Sequence, residues 1–346
     1  MPVARDEFDI GPLSWVKPEI ELALRRADEG IRRFSVSPGD QEIARSTLAH
    51  LHQVSGALLM VGLEPVARVS EALEKQIELL ARDDLKATPE IMGSIRGAIA
   101  ALSQYLEGLM RGDPNRPLTL FPVYKTILAA SGTEASEVDL FYPDLSRRPK
   151  FSESASSRVT GAELTTLLNL KRAEFQRGLL GLLRGKDHKH SLQLMRNALA
   201  TIEATQTAGA RMLWWIAVGL IDGLASSPDL LDTAHKQLCS RIDQQIKRQA
   251  DGADTVSERL IRELLFAIAK MAPNSARVRE IQDTYYLIGL LPPAAKDSPE
   301  DTRAKHALRE LKEQLEHIKE TWLKFTSGNR SSLTQFVEET ARLSVL

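Results

Sequence analysis

The stretch His52-Gln53-Val54-Ser55-Gly56-Ala57-Leu58-Leu59-Met60-Val61-Gly62-Leu63 holds most of the chemistry in this chain: an imidazole followed by two glycines inside a helical hydrophobic pattern. Leu48, Leu51, Leu58 and Leu59 recur with the helical period, which places His52 at the solvent margin of the buried stripe. An imidazole there is positioned to accept a phosphoryl group from a docked donor. Helical side chains lean toward the N-terminus, so position 56 lies over His52, and a glycine leaves the ring uncovered. Mid-helix, glycine costs about 1 kcal/mol relative to alanine, so Gly56 is expected to have a reason. Two readings stay open. In one, His52 is a phosphoacceptor with Ser55 and Gly56 beside it; in the other, Gly56 and Gly62 only permit close helix packing and His52 is a solvated surface residue.

Other reactive types are sparse. His50 and His52, like His188 and His190, stand two residues apart and do not share a helix face, so no metal site is expected from either pair. The single cysteine, Cys239, excludes a disulfide framework and is expected to pack rather than react. No glycine-rich nucleotide loop, His-Glu-x-x-His or Gly-x-Ser-x-Gly occurs, so neither a cofactor nor enzymatic activity is expected of this segment. Trp214 and Trp215 are adjacent and therefore point about 100° apart on a helix. They are partner-binding candidates on the reading that one packs inside and the other sits at a bundle boundary or partner surface. Against it, Met212 to Leu224 is apolar nearly all round, which favours burial of both.

The elements that must position these residues are helical. Aromatic residues make up only 5 % of the chain while Leu, Ala, Arg, Glu and Gln dominate, a mixture that favours helices over sheets. A formal net charge of -1 favours neither nucleic acid nor anionic lipid as partner. Acidic residues precede any apolar run at the N-terminus, and no 18 apolar residues run together, so a cytoplasmic location without signal peptide or membrane insertion is expected.

The spacing predicts a first helix opening near Ser14, with Ser14 as N-cap and Pro18 in its first turn. Ser37-Pro38-Gly39-Asp40 breaks it before a second helix, from Gln41 to Val61, that carries His52. Two more helices, about 65–81 and 89–110, complete an up-down bundle, and a helix over 121–130 packs back on it. Residues 1–133 thus read as one bundle and 134–160 as a linker with a mobile tip, whose Leu140, Phe141, Tyr142 and Leu145 dock on a bundle. Residues 161–294 read as a second bundle, with helices near 162–184, 190–208, 210–225, 230–250 and 255–271. Residues 295–346 form a helical hairpin that repeats the plan of the first two helices, as the start of a third unit in a longer protein.

Leu13-Ser14-Trp15-Val16-Lys17-Pro18-Glu19-Ile20, the His52 helix and Gly209-Ala210-Arg211-Met212-Leu213-Trp214-Trp215 together resemble one family. It comprises the N-terminal region of the ChpA/PilL CheA-type hybrid histidine kinases of the type IV pilus chemotaxis-like system and the related stand-alone FimL proteins. The resemblance implies an all-α fold of two histidine-phosphotransfer-like antiparallel bundles in tandem. Active phosphotransfer domains carry His-x-x-Lys-Gly, and Ser55 stands where that lysine would supply charge to the phosphoryl group. In the second block the matching positions fall near Ile202, Glu203 and Ala204, so that bundle is expected to have lost its acceptor. The retained His52 points to the kinase branch. The expected function is a non-catalytic signalling and interaction module, the N-terminal part of such a kinase, that controls twitching motility by binding a FimV-like polar scaffold protein. Further partners on this reading are a FimL-like protein or response-regulator receivers. The alternative is a phosphorelay carrier with His52 as acceptor between kinase core and receiver.

Overall fold

The computed structural model describes residues 9–149, 151, 159, 161–185, 187–206, 208–227, 231–253 and 255–293, together with Ile318, Thr321, Trp322, Phe325, Thr326 and Thr340. Among these residues the protein is all-α, with no strand. Met1–Pro292 form one compact unit and Pro293–Leu346 a second. No described helix is long and apolar enough to cross a membrane.

The first bundle is built from α1 (Ile10–Val36), α2 (Gln41–Met60), α3 (Glu64–Ala81) and α4 (Pro89–Met110). Each neighbour in sequence packs on the next, and α1 closes the ring against α4. After a 3-10 turn (Pro117–Leu120), α5 (Phe121–Ala130) returns onto α3 and α4. Sequence fixes these helix ends locally. Asp40 caps α2 by accepting from the amides of Glu42 and Ile43 at 2.9 and 3.1 Å, and Thr88 caps α4 ahead of Pro89. Gly62 ends α2 with φ +74°, the left-handed conformation that lets the Leu63 amide bond back to the Leu58 carbonyl at 2.9 Å.

The start of α1 differs from the sequence expectation. Its N-cap is Asp9, which accepts from the Gly11 amide, and Ser14 lies inside the helix with its hydroxyl donating to the Gly11 carbonyl. Pro18 is therefore interior. The proline stands on the solvent face, where the Ser14 carbonyl deprived of an amide partner reaches water.

The second bundle is built from α6 (Gly161–Leu183), α7 (His188–Thr205), α8 (Ala208–Ser226) and α9 (Thr233–Ala250): α6 meets α7 and α9, and α7 meets α8, but here α10 (Glu258–Ala269) rather than a direct α8–α9 contact joins the last two. Together α10 and α11 (Ala276–Thr284) cover α8, with the short α12 (Leu287–Leu290) beside them. The sequence reading had not separated α11. α8 is central, which is why its sequence is apolar on every side.

Residues 134–149 are a packed wedge rather than free linker. A 3-10 turn (Glu137–Leu140) is closed by Asp139, whose side chain accepts from the Ser136 amide at 3.1 Å. Leu140 and Phe141 are buried, and Phe141 meets Phe266 edge-on at 5.1 Å. The Tyr142 hydroxyl accepts from Arg68 of α3, and its ring lies 4.3 Å from the Arg262 guanidinium of α10. One aromatic side chain thus touches both bundles, so docking of this segment is onto both. The expected mobile tip, residues 152–158, lies outside the described residues, as does most of the C-terminal hairpin. The described residues there are helical, and Trp322 and Phe325 stack 5.6 Å apart.

Candidate functional site

His52 stands where α2 runs beside α3, and its side chain is 82 % exposed. Its Nδ1 lies 3.1 Å from Oε2 of Glu74 on α3. The other carboxylate oxygen, Oε1, accepts from the Ser55 hydroxyl, whose oxygen also lies 3.2 Å from the Leu51 carbonyl. One carboxylate therefore bridges the imidazole and the hydroxyl. With Nδ1–H donated to Glu74, the ring is held in the tautomer that leaves the Nε2 lone pair facing solvent. In that tautomer Nε2 is the ring nitrogen that an electrophile could reach, with a carboxylate behind it to offset positive charge on the ring.

Ser55 does not stand beside the incoming group. It is 4 % exposed and turned into the α2–α3 seam, so it orients Glu74 and has no proton to offer a phosphoryl oxygen. A Cβ built on Gly56 meets nothing within 4 Å, so neither close helix packing nor contact with the His52 ring calls for a glycine there. Glu74, which sequence reading missed, lies 22 residues from His52 on another helix. Among Glu71, Lys75 and Glu78 it resembles the charged face of any surface helix.

In both bundles a glycine lets the first two helices approach closely: a Cβ at Gly30 of α1 would crowd the Thr47 side chain of α2, and one at Gly178 of α6 would stand 2.6 Å from the Ser191 carbonyl oxygen and 2.7 Å from Met195 Cγ of α7. The crossing that resembles His52–Glu74 is made by Arg196, which reaches from α7 across the seam with α8 to Asp222, Nε to Oδ1 2.5 Å. Ile202, Glu203 and Ala204, the positions expected from the sequence, lie about two turns further along α7. Ile202 is core, and Glu203 is buried and paired with Arg277 at 2.5 Å and Arg211 at 3.6 Å. A guanidinium is protonated at every working pH and has no free lone pair. The second bundle holds no acceptor at this position.

Trp214 and Trp215 are both buried, at 1 % and 3 % exposure, so neither presents a surface to a partner in this fold. Central α8 is covered on all sides, and Trp215 packs edge-on against Phe151 at 6.1 Å, where the chain returns to the second bundle. Burial pushes the Cys239 thiol up to about 12, so it packs and does not react. His188 and His190 are exposed at the start of α7, and no group of three metal-ligating side chains occurs among the described residues.

Fold and site define, among the described residues, an all-helical protein of two bundles, with a histidine–carboxylate crossing in one and an arginine–carboxylate crossing in the other. Two family models match it: one described as the FimL C-terminal domain over residues 13–121, and one described as the FimL scaffold protein second domain over residues 160–298. The chain is FimL-like. A curated relative, the scaffold protein FimL of Pseudomonas aeruginosa, is 27 % identical over 294 residues, covering 80 % of this chain and 50 % of that protein. The chain thus spans about half the length of the relative it matches. A model described for a C-terminal domain lies here on the first bundle. No solved structure matches.

Proposed function

We propose that the chain is a non-catalytic signalling and interaction module that acts in type IV pilus twitching motility by binding a FimV-like polar scaffold protein from the cytoplasm at the cell pole. The observation that carries this reading is the likeness to a protein named as a scaffold along 80 % of the chain. A physical feature supports it. The antiparallel α1–α2 hairpin places the first turns of α1 at the same end as the last turn of α2. At that end Trp15 and Met60 are 85 % and 78 % exposed, with Ile10 and Leu59 partly so. Exposed tryptophan and methionine gathered at one end are characteristic of a surface that another protein covers. Both matched models are FimL models, so the FimL branch of the resemblance is the better supported, and membership of a hybrid kinase rests on His52 alone. Calorimetric titration with the cytoplasmic part of a FimV-like protein tests the proposal. Trp15→Ala combined with Met60→Glu is expected to weaken binding by about a hundredfold, whereas His52→Ala leaves it unchanged. Undiminished binding by the double variant removes this surface from the proposal.

The His52–Glu74 geometry favours a second reading, in which His52 carries a phosphoryl group to a receiver domain. Incubation with a CheA-type kinase core and labelled ATP distinguishes the two: stoichiometric label on the wild type, lost in His52→Ala, selects the carrier.

A further inference from the structure

The outer face of α6 has no assigned use. Packing against α7 and α9 covers one side of this helix, where Leu168, Phe175, Leu179 and Leu182 are buried. On the other side Leu170, Leu180 and Leu183 are each about half exposed, and the exposed Ala173 lies among them. At 100° per residue these four span an arc of about 140°, with Ala173 and Leu180 in its middle. A helix with solvent on its outer side carries polar residues there, whereas α6 is apolar on both sides. Charge is carried along one edge of the arc, the edge of Leu170. Glu163 stands there in the first turn of α6, and Arg177 and Arg184 stand there toward and just past its end. The ion pairs of α6 among the described residues are Lys171–Glu174 and Arg172–Asp243, so the charges of Glu163, Arg177 and Arg184 are left over.

We propose that a second copy of this chain covers this face, α6 against α6, antiparallel about a two-fold axis level with Phe175. That axis brings Leu170 of one protomer level with Leu180 of the other, and Glu163 within one turn of Arg184 on the same edge. Each contact is made twice, so an apolar middle is flanked at both ends by an acid and a base. Ala173, close to the axis, lets the two helices approach closely. A parallel pair would instead set Glu163 against Glu163 and Arg184 against Arg184. A partner of one charge sign matches one end of the face, whereas a reversed copy matches both.

Sedimentation equilibrium of the full chain over a range of concentrations tests the proposal. The wild type is expected to dimerise. Leu180→Glu puts a carboxylate in the middle of the face and is expected to weaken the dimer by about a hundredfold. Circular dichroism of that variant should match the wild type at a concentration where both are monomeric, because the new side chain reaches solvent in the free chain. Glu163→Arg and Arg184→Glu are each expected to weaken the dimer by about tenfold. The two changes in one chain are expected to restore it, since each end again meets its opposite. A wild type that stays monomeric, or a dimer indifferent to Leu180→Glu, removes the second copy from this face and overturns the proposal. A double charge variant as weak as the single ones overturns the antiparallel pairing on which it rests.

Discussion

In both bundles a basic side chain of the second helix reaches a carboxylate on the third, but the two crossings differ in what the basic group can do. Arg196–Asp222 is fixed: its charge does not change, and a partly exposed pair of this kind contributes at most about 1 kcal/mol. His52–Glu74 joins a carboxylate to a ring that can lose a proton, present a lone pair and form a bond. The frame around each is alike, down to a glycine where the first two helices touch. The difference lies in one side chain of the pair, and the helical frame forms with either.

The largest expected effect tests whether the first two helices of each frame depend alike on a glycine at their contact. At Gly178 a methyl group would meet a backbone carbonyl, which cannot move aside, as well as Met195 Cγ at 2.7 Å. Gly178→Ala should therefore separate α6 from α7 and cost about 3 kcal/mol in urea unfolding. At Gly30 the obstacle is the Thr47 side chain, which can rotate if its hydroxyl gives up the Ile43 carbonyl, so Gly30→Ala should cost about 1–2 kcal/mol. A change within about 0.5 kcal/mol at Gly178 would mean that this contact does not fix the spacing of α6 and α7, and the likeness of the two frames would lose a support.

Cutting the crossings themselves should have smaller effects, of unequal size. Glu74→Ala takes the acceptor from the buried Ser55 hydroxyl, which falls back on the 3.2 Å contact to the Leu51 carbonyl, at about 1 kcal/mol. Asp222→Ala leaves Arg196 able to reach water and should cost about 0.5 kcal/mol. Equal losses in thermal unfolding would show that Ser55 gains nothing from Glu74.

Most helices were legible in the sequence because each buries one stripe and its ends carry their own signals, such as Asp40 before α2 and Gly62 after it. Where a local signal was outranked, the reading moved: Asp9 captures the start of α1 ahead of Ser14, and solvent tolerates the interior Pro18. The site was half legible. Periodicity within α2 put His52 at the margin, but it says nothing about which residue of α3 arrives opposite, so Glu74 was invisible and Ser55 was placed beside the ring instead of beneath it. For the same reason Arg196 became visible only through its ion pair with Asp222, a distance between helices that no spacing along one helix contains.

Gly56 offers a sharper contrast between stability and use. A methyl group there meets nothing, so Gly56→Ala should raise stability by about 0.5–1 kcal/mol through helix propensity and the unfolded chain's lost freedom. The same methyl would stand one turn from His52, clear of its ring, and should weaken a partner that docks flush on this face of α2. A gain in stability with undiminished binding of every partner would make the glycine incidental.

The smallest expected effect falls at the residue with the most chemistry. His52 is mostly exposed and touches Glu74 through one nitrogen, so His52→Ala removes little apolar area and leaves Glu74 still accepting from Ser55. Stability should stay within about 0.5 kcal/mol of the wild type. Because the frame is then intact, any lost function is traceable to the imidazole. Retained partner binding and retained twitching assign the ring to a surface that is merely present. Binding retained with signalling abolished assigns it a bond-forming task, for which Nε2 is the exposed atom and Glu74 the group behind it. Arg196→Ala is the matched control: its side chain makes the corresponding crossing from second to third helix without a nucleophile, so a signalling defect of equal size there would remove the case for phosphoryl chemistry at His52.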